Sequence, residues 1–284
     1  MIPSAFDYHA PTSLDEALTL LAQGGDDAKI LAGGQSLIPV MRLRLAGPEL
    51  LIDLGRIDGL RGIEDDGDAV RIGAMTPHHD IASSALLGEH AALLCAAART
   101  VADPQVRHRG TFGGALVHAD PAGDMPAPAL VLGAEFVIAG AGGIRTVSAT
   151  DFFEGLFTTA VGEDEILTHV RIPKHTGWGA RYEKFTRVAQ QWSIVAVAAT
   201  VRAEGSAIAE ARVGLTNMGS VPIRAERVEA ALAGCALEEA AIARACASAA
   251  EGTDPPTDTN GDADYRRHLA TVLATRAVLS AAGG

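Results

Sequence analysis

Two short glycine-paired stretches carry the residues best suited to chemistry. The first is Ala32-Gly33-Gly34-Gln35-Ser36-Leu37, entered by the apolar run Ala28 to Leu31 and followed by an amphipathic run to about Leu45. The second is Gly110-Thr111-Phe112-Gly113-Gly114-Ala115. Paired glycines let the main chain turn sharply and approach a ligand closely, because neither carries a Cβ. Ser36 is placed to cap the helix that follows. Free backbone N–H groups at such a bend, at the positive end of a helix, suit a phosphate. Thr111 adds a hydroxyl donor. Neither stretch contains a lysine or arginine, so amides rather than cations have to meet the charge. Two bends of this kind on one ligand suit a diphosphate, and the expectation is a clasp closed from both sides.

Past the second stretch runs His118-Ala119-Asp120-Pro121-Ala122-Gly123-Asp124. Within a turn and helix start, either Asp120 or Asp124 can accept hydrogen bonds from ligand hydroxyls or ring N–H groups. Asp120 reads equally as an N-cap ahead of Pro121. Trp192 and Tyr182 read as core packing or as the wall of a planar ring. His78 and His79 are adjacent and do not share a helix face, so a solvated helix start is expected there rather than a metal pair. Gly140-Ala141-Gly142-Gly143 lies between two strand-like segments and opens no helix, which makes it a hairpin turn.

Several function classes are disfavoured. No G-x-G-x-x-G and no G-x-x-x-x-G-K-[ST] follows a strand, which argues against the two commonest nucleotide-binding routes. The net charge is -12 and basic residues form no stripe, so no nucleic-acid partner is expected. The N-terminal residues lack the charged and apolar regions of a secretory signal, and no apolar run is long enough for a transmembrane segment. Cys95, Cys235 and Cys246 are scattered and form no C-x-x-C, so no iron–sulfur or zinc ligand set is expected and buried thiols in a reducing cytoplasm are.

The elements that must position these residues follow from local rules. Ser13-Leu14-Asp15-Glu16 is a capping box, predicting a helix to about Gln23 ended by Gly24-Gly25. Ala28 to Leu31 and Leu50 to Leu54 are strands that make a β-α-β unit around the first glycine stretch. Val70 to Ala74 reads as a strand, Thr76-Pro77 as a helix start with proline at the first helical position, and Glu89 to Val101 as one long apolar helix. Ala134 to Ala139 and Glu165 to Pro173 read as strands. A junction is expected over Lys174 to Gly179. After it come three alternating runs, Arg181 to Arg187, Ile194 to Arg202 and Ala207 to Leu215, then helices over Arg224–Ala233, Glu238–Ala250 and Asp262–Ala281.

Ala32-Gly33-Gly34-Gln35-Ser36 together with Thr111-Phe112-Gly113-Gly114-Ala115 and the His118 to Asp124 tail resembles the FAD-binding medium subunit of molybdenum hydroxylases. This is the xanthine dehydrogenase family, and the likeness is nearest to the medium chains of aerobic carbon monoxide dehydrogenases. The resemblance extends to Tyr182-Glu183-Lys184-Phe185 and to Asp258 with Tyr265-Arg266-Arg267-His268-Leu269. It implies an α+β fold. A two-subdomain FAD-binding fold of the vanillyl-alcohol oxidase (PCMH) type, residues 1–55 and 56–175, precedes a C-terminal α+β domain, residues 178–284, built on a three-stranded antiparallel sheet with helices.

The resemblance also implies non-covalent FAD. The diphosphate contacts fall on Ala32, Gly33, Gly34, Gln35 and Ser36 and on Thr111 through Gly114. Leu37, Ala102, Ala115, His118, Asp120, Asp124, Leu167 and Lys184 line the cofactor, and Trp192 lies near the isoalloxazine. Two departures stand out: Ala115 replaces the family's asparagine, and Gln190-Gln191-Trp192 stands where many relatives have Gly-Asp-Tyr. By the same likeness, molybdopterin belongs to a large subunit and [2Fe–2S] clusters to a small one, in a dimer of heterotrimers on the cytoplasmic side of the membrane. This chain then carries electrons from the clusters through FAD to an external acceptor, with no catalytic residue or metal of its own. The alternative is a stand-alone flavin-dependent oxidoreductase, which needs an acid or base over the ring that the sequence does not offer. A non-catalytic nucleotide-binding module would show no flavin at all.

Overall fold

The computed structural model describes residues 2–283; Met1 and Gly284, the expected outer domain limits, lie outside the described residues. The N-terminal part is a β-α-β unit. Ser13 accepts a hydrogen bond from Glu16 N at 3.2 Å, and Glu16 Oε2 accepts from Thr12 N at 3.0 Å, so the capping box closes one residue earlier than its simplest form. The helix Leu14–Gly24 follows. Ala28–Leu31 and Leu50–Asp53 run parallel, with Asp7–His9 added on the far side of Leu50–Asp53. Ala17, Leu21, Ile52 and Leu54 fill the core beneath.

The second sheet has five antiparallel strands in the order Ile63–Asp66, Ala69–Gly73, Ile166–Pro173, Glu135–Gly140, Gly143–Ser148. The expected hairpin turn is there: Gly140 pairs with Gly143. The single helix expected over Glu89–Val101 is two, Ala85–His90 and Ala92–Thr100. The break at Ala91 has a tertiary cause, because the His90 carbonyl accepts from His175 N at 2.7 Å and its ring meets the Thr176 hydroxyl at 2.7 Å. The helix expected to start at Thr76-Pro77 begins at His78. Thr76 is buried, and its hydroxyl bridges Gly62 N and O, both at 3.1 Å, instead of capping.

The C-terminal sheet has four antiparallel strands, not three: Gly179–Phe185, Val195–Glu204, Ala207–Thr216 and Ile223–Arg224. The fourth is two residues long and follows Pro222, too short for alternation to show in sequence. Val195–Glu204 is covered on both faces, so its first seven residues are all buried and the alternation expected there does not hold. Val195, Val197, Ala199 and Val201 face the long helix Ala263–Ala282, while Ala196 and Ala198 pack with Tyr182 into the core of the second sheet. The two parts of the chain therefore share one apolar core. No helix of the described residues is long and apolar enough to cross a membrane.

Candidate functional site

A cleft of about 750 Å³ runs where these units meet, a size suited to a small-molecule cofactor. Every residue of the expected cofactor-lining set borders it except Phe112 of the Thr111–Gly114 run, which is buried in the core. The two glycine stretches touch. A Cβ on Gly33 would fall on the Arg109 carbonyl oxygen and 2.7 Å from Gly110 Cα; one on Gly114 would stand 3.3 Å from Ala32 Cβ. Only glycine permits this approach.

The two stretches do different work. Gly34 takes φ of 72°, and the N–H groups of Gly33, Gly34, Gln35, Ser36 and Leu37 donate to no protein acceptor among the described residues. Ser36 does not cap: its backbone is already helical, φ -106° and ψ -50°, and its hydroxyl stays free. The helix it precedes, Leu37–Arg42, is only six residues, so the amides matter more than any macrodipole. In the second stretch the amides are spent. Phe112 N donates to Thr76 O at 2.9 Å, Gly113 N to Ala74 O at 2.8 Å, and Gly114 N to Thr111 Oγ1 at 3.2 Å. Its glycines serve close packing, Gly113 against Ala74 and Gly114 against Ala32, and Thr111 accepts as a helix cap while keeping its hydroxyl hydrogen to donate.

The other end of the cleft is a buried polar cluster. Asp124 Oδ2 accepts from Lys184 Nζ at 2.7 Å, and its Oδ1 accepts from the Tyr182 hydroxyl at 2.9 Å and the Ser193 hydroxyl at 3.1 Å. Lys184 also donates to Thr100 O at 3.1 Å. Burial pushes the Asp124 carboxyl up, while Lys184 and the two hydroxyls pull against it. Tyr182, read from sequence as core or wall, is both buried and a donor, its phenol held well above its ordinary value by burial and by Asp124.

Asp120 is not a helix N-cap: no helix starts at Pro121, and Oδ1 instead accepts from Ala122 N at 2.9 Å within a turn, while the residue borders the cleft. Ala102 reaches the cleft at φ 36°, its carbonyl and that of Val101 accepting from Arg107. Leu167 sits at a bulge in its strand, between Leu167 and His169, which turns it toward the cleft. Trp192 is 56 % exposed, in a loop where Gln190 has φ 72°.

Among the lining residues that sequence reasoning did not name are His78, Lys29 and Phe157. His78, expected at a solvated helix start, is buried; only His79 is outside, stacked on His108 at 3.9 Å. Lys29 borders the cleft from the strand that enters the first stretch. Phe157, half-exposed at φ 54° and 5.2 Å from the His118 ring, also borders it. A non-glycine residue held at such a φ is costly and tends to mark functional sites.

The family described as "FAD binding domain in molybdopterin dehydrogenase" matches residues 4–175, and that described as "CO dehydrogenase flavoprotein C-terminal domain" matches residues 180–281. The carbon monoxide dehydrogenase medium chain of Hydrogenophaga pseudoflava is 43% identical over 99% of this chain and 98% of its own. That of Afipia carboxidovorans is 42% identical over 98% and 97%. A solved carbon monoxide dehydrogenase from Hydrogenophaga pseudoflava superposes with a TM-score of 0.96 at 44% identity, covering 99% of this chain and 98% of that one. With glycine-paired stretches, a cleft and a buried acid–lysine pair in one place, the chain belongs to the FAD-binding medium-subunit family of molybdopterin dehydrogenases, which are oxidoreductases.

Proposed function

We propose that this chain is the FAD-carrying electron-transfer subunit of a molybdenum-containing hydroxylase or dehydrogenase of carbon monoxide dehydrogenase type. The observation that carries the reading is the row of five free amides, Gly33 to Leu37, opening into the cleft beside the Thr111 hydroxyl. Unpaired N–H groups at a site of this kind call for an acceptor with several oxygens, and a diphosphate supplies them. Thus the residues present fit the cofactor.

In this reading Ala32 to Leu37 and Thr111 hold the diphosphate, and Gly113, Gly114 and Ala115 keep the wall thin. His118, Asp120 and Asp124 face the linking hydroxyls. Ala102, Leu167, Lys184 and Trp192 border the ring. FAD bound there supplies one- and two-electron chemistry. The chain's own part is to bind and orient the ring, to set a buried ammonium beside it and to limit water at its face. Residues 1–55 and 56–175 act as the two halves of the cofactor site, and 178–284 as the domain that closes its ring end.

The partners in this proposal are a large molybdopterin subunit and a small [2Fe–2S] subunit, as a dimer of heterotrimers whose clusters pass electrons to the flavin and on to an external acceptor. The free cysteines Cys95, Cys235 and Cys246 agree with a reducing cytoplasm, with the complex at the inner membrane face as part of the same proposal. Purification of the native protein tests it: two further polypeptides with molybdenum, iron and one FAD per chain are expected. A single polypeptide that turns over a small substrate unaided would overturn it.

A further inference from the structure

His78 is the buried imidazole of this cleft, and the reading above gives it no task. It is 4 % exposed, and the backbone N–H of the residue donates to Gly110 O at 3.0 Å, which seats the ring under the second glycine stretch. Cδ2 and Nε2 lie 3.1 and 3.5 Å from where a Cβ on Gly110 would stand. The edge bearing Nε2 therefore faces the glycine whose Cα crowds Gly33, at the seam between the two stretches. Nδ1 is sealed without a partner. A buried lone pair left bare is tolerated better than a buried N–H, which assigns the proton to Nε2.

The charge around the ring is one-sided. Arg107 acts on it from the helix Pro104–Arg107, and Arg99 on the neighbouring helix is bonded to Ala82 O. Arg109 offers its carbonyl at the seam, and His79 and Asp80 on the same helix are exposed. No carboxylate acts on His78, and burial with Arg107 holds it neutral, down to about 4. The described residues thus supply the imidazole with no acceptor and no counter-charge.

We propose that His78 is a further residue of the diphosphate site, its neutral Nε2–H donating to a phosphate oxygen through the glycine seam. This rests on the cleft being the FAD site. It completes the division of labour found there: the second stretch spends its own amides on packing, and the side chain behind it supplies the donor on that side.

The test uses the full chain stripped of flavin, with FAD and with ADP as probes. His78→Phe is expected to weaken both about tenfold, because the two share a diphosphate, and to move a phosphorus-31 resonance of bound FAD. His78→Asn, which keeps an N–H donor, is expected to recover most of the affinity. In the unsubstituted chain, nitrogen-15 spectra should show the Nε2–H tautomer and a shift of Nε2 when ADP is added. An unmoved Nε2 signal, or unchanged affinities and phosphorus spectra in His78→Phe, overturns the proposal. If the unsubstituted chain binds neither probe, the FAD reading itself falls.

Discussion

Lys184 and Asp124 form a 2.7 Å ion pair with both side chains nearly sealed from solvent, one from each of the two matched family regions. The pair ties the strand Gly179–Phe185 to the loop after the helix Phe112–His118, so the cleft is complete only when both parts of the chain are in place. Coupling of cofactor retention to the contact between the two parts follows directly.

Asp124→Asn leaves the Lys184 ammonium buried with the Thr100 carbonyl as its remaining partner. A broken buried pair costs about 3 kcal/mol or more, because one charge is left uncompensated. Urea denaturation of the flavin-free chain should show a lower midpoint, and the purified protein should carry little flavin. Asp65→Asn at the solvent-exposed Lys174 pair, 2.8 Å, is the contrast and should leave the midpoint where it is.

Glycine substitutions should grade by what a Cβ would meet. Gly33→Ala drives a methyl onto the Arg109 carbonyl and Gly110 Cα, both backbone, so the two stretches must part. Gly114→Ala meets Thr111 Oγ1 at 2.7 Å and Ala32 Cβ at 3.3 Å, a lesser conflict, and Gly47→Ala meets nothing within 4 Å. Flavin per chain, read from absorbance, should fall nearly to zero for Gly33→Ala, in part for Gly114→Ala, and not at all for Gly47→Ala. Equal flavin in all three would contradict the contact between the stretches.

His78 makes the flavin-free chain acid-sensitive. Its folded value of about 4 lies below the ordinary 6.5, so as pH falls through 6.5 the unfolded chain takes up a proton that the folded chain refuses. Stability is full above about 6.5, declines toward pH 4 and levels below it, with a loss of about 3 kcal/mol at roughly 1.4 kcal/mol per pH unit. Denaturation midpoints taken between pH 7 and 4 should show this slope, and His78→Asn should flatten that part of it.

Trp192→Ala should leave flavin content unchanged, because a side chain 56 % exposed adds little to holding a buried ligand. The ring it is proposed to border should become more open to solvent. Iodide quenching of bound-flavin fluorescence is the measurement, and it should rise. Quenching equal to that of the unsubstituted chain would place Trp192 away from the ring.

If the flavin is held without a covalent bond, acid precipitation leaves a colourless pellet and a yellow supernatant. Gln35 in the first stretch, rather than a histidine, motivates that expectation. Colour kept in the pellet would refute it.

Local rules made much of this protein legible before any coordinates. The Ser13 capping box, the strand Ala28–Leu31 leading into Gly33-Gly34 and the Gly140–Gly143 hairpin each follow from side chains within a few residues of one another. Such features depend on backbone freedom, capping and period, which travel with the sequence itself.

What the tertiary structure decided are the outcomes of competition between distant groups. Ser36 is at the right place to cap and does not, Thr76 gives its hydroxyl to Gly62, and the carbonyl of His90 goes to His175, splitting a helix. The amides of Gly113 and Gly114 look as free as those of Gly33 and Gly34 until Ala74 and the capping Thr111 take them. Lys29, His78 and Phe157 join the cleft only because strands and helices far apart in sequence close around it. A residue's type states which bonds it is able to make; which of them it makes is settled by the neighbours that folding brings within reach.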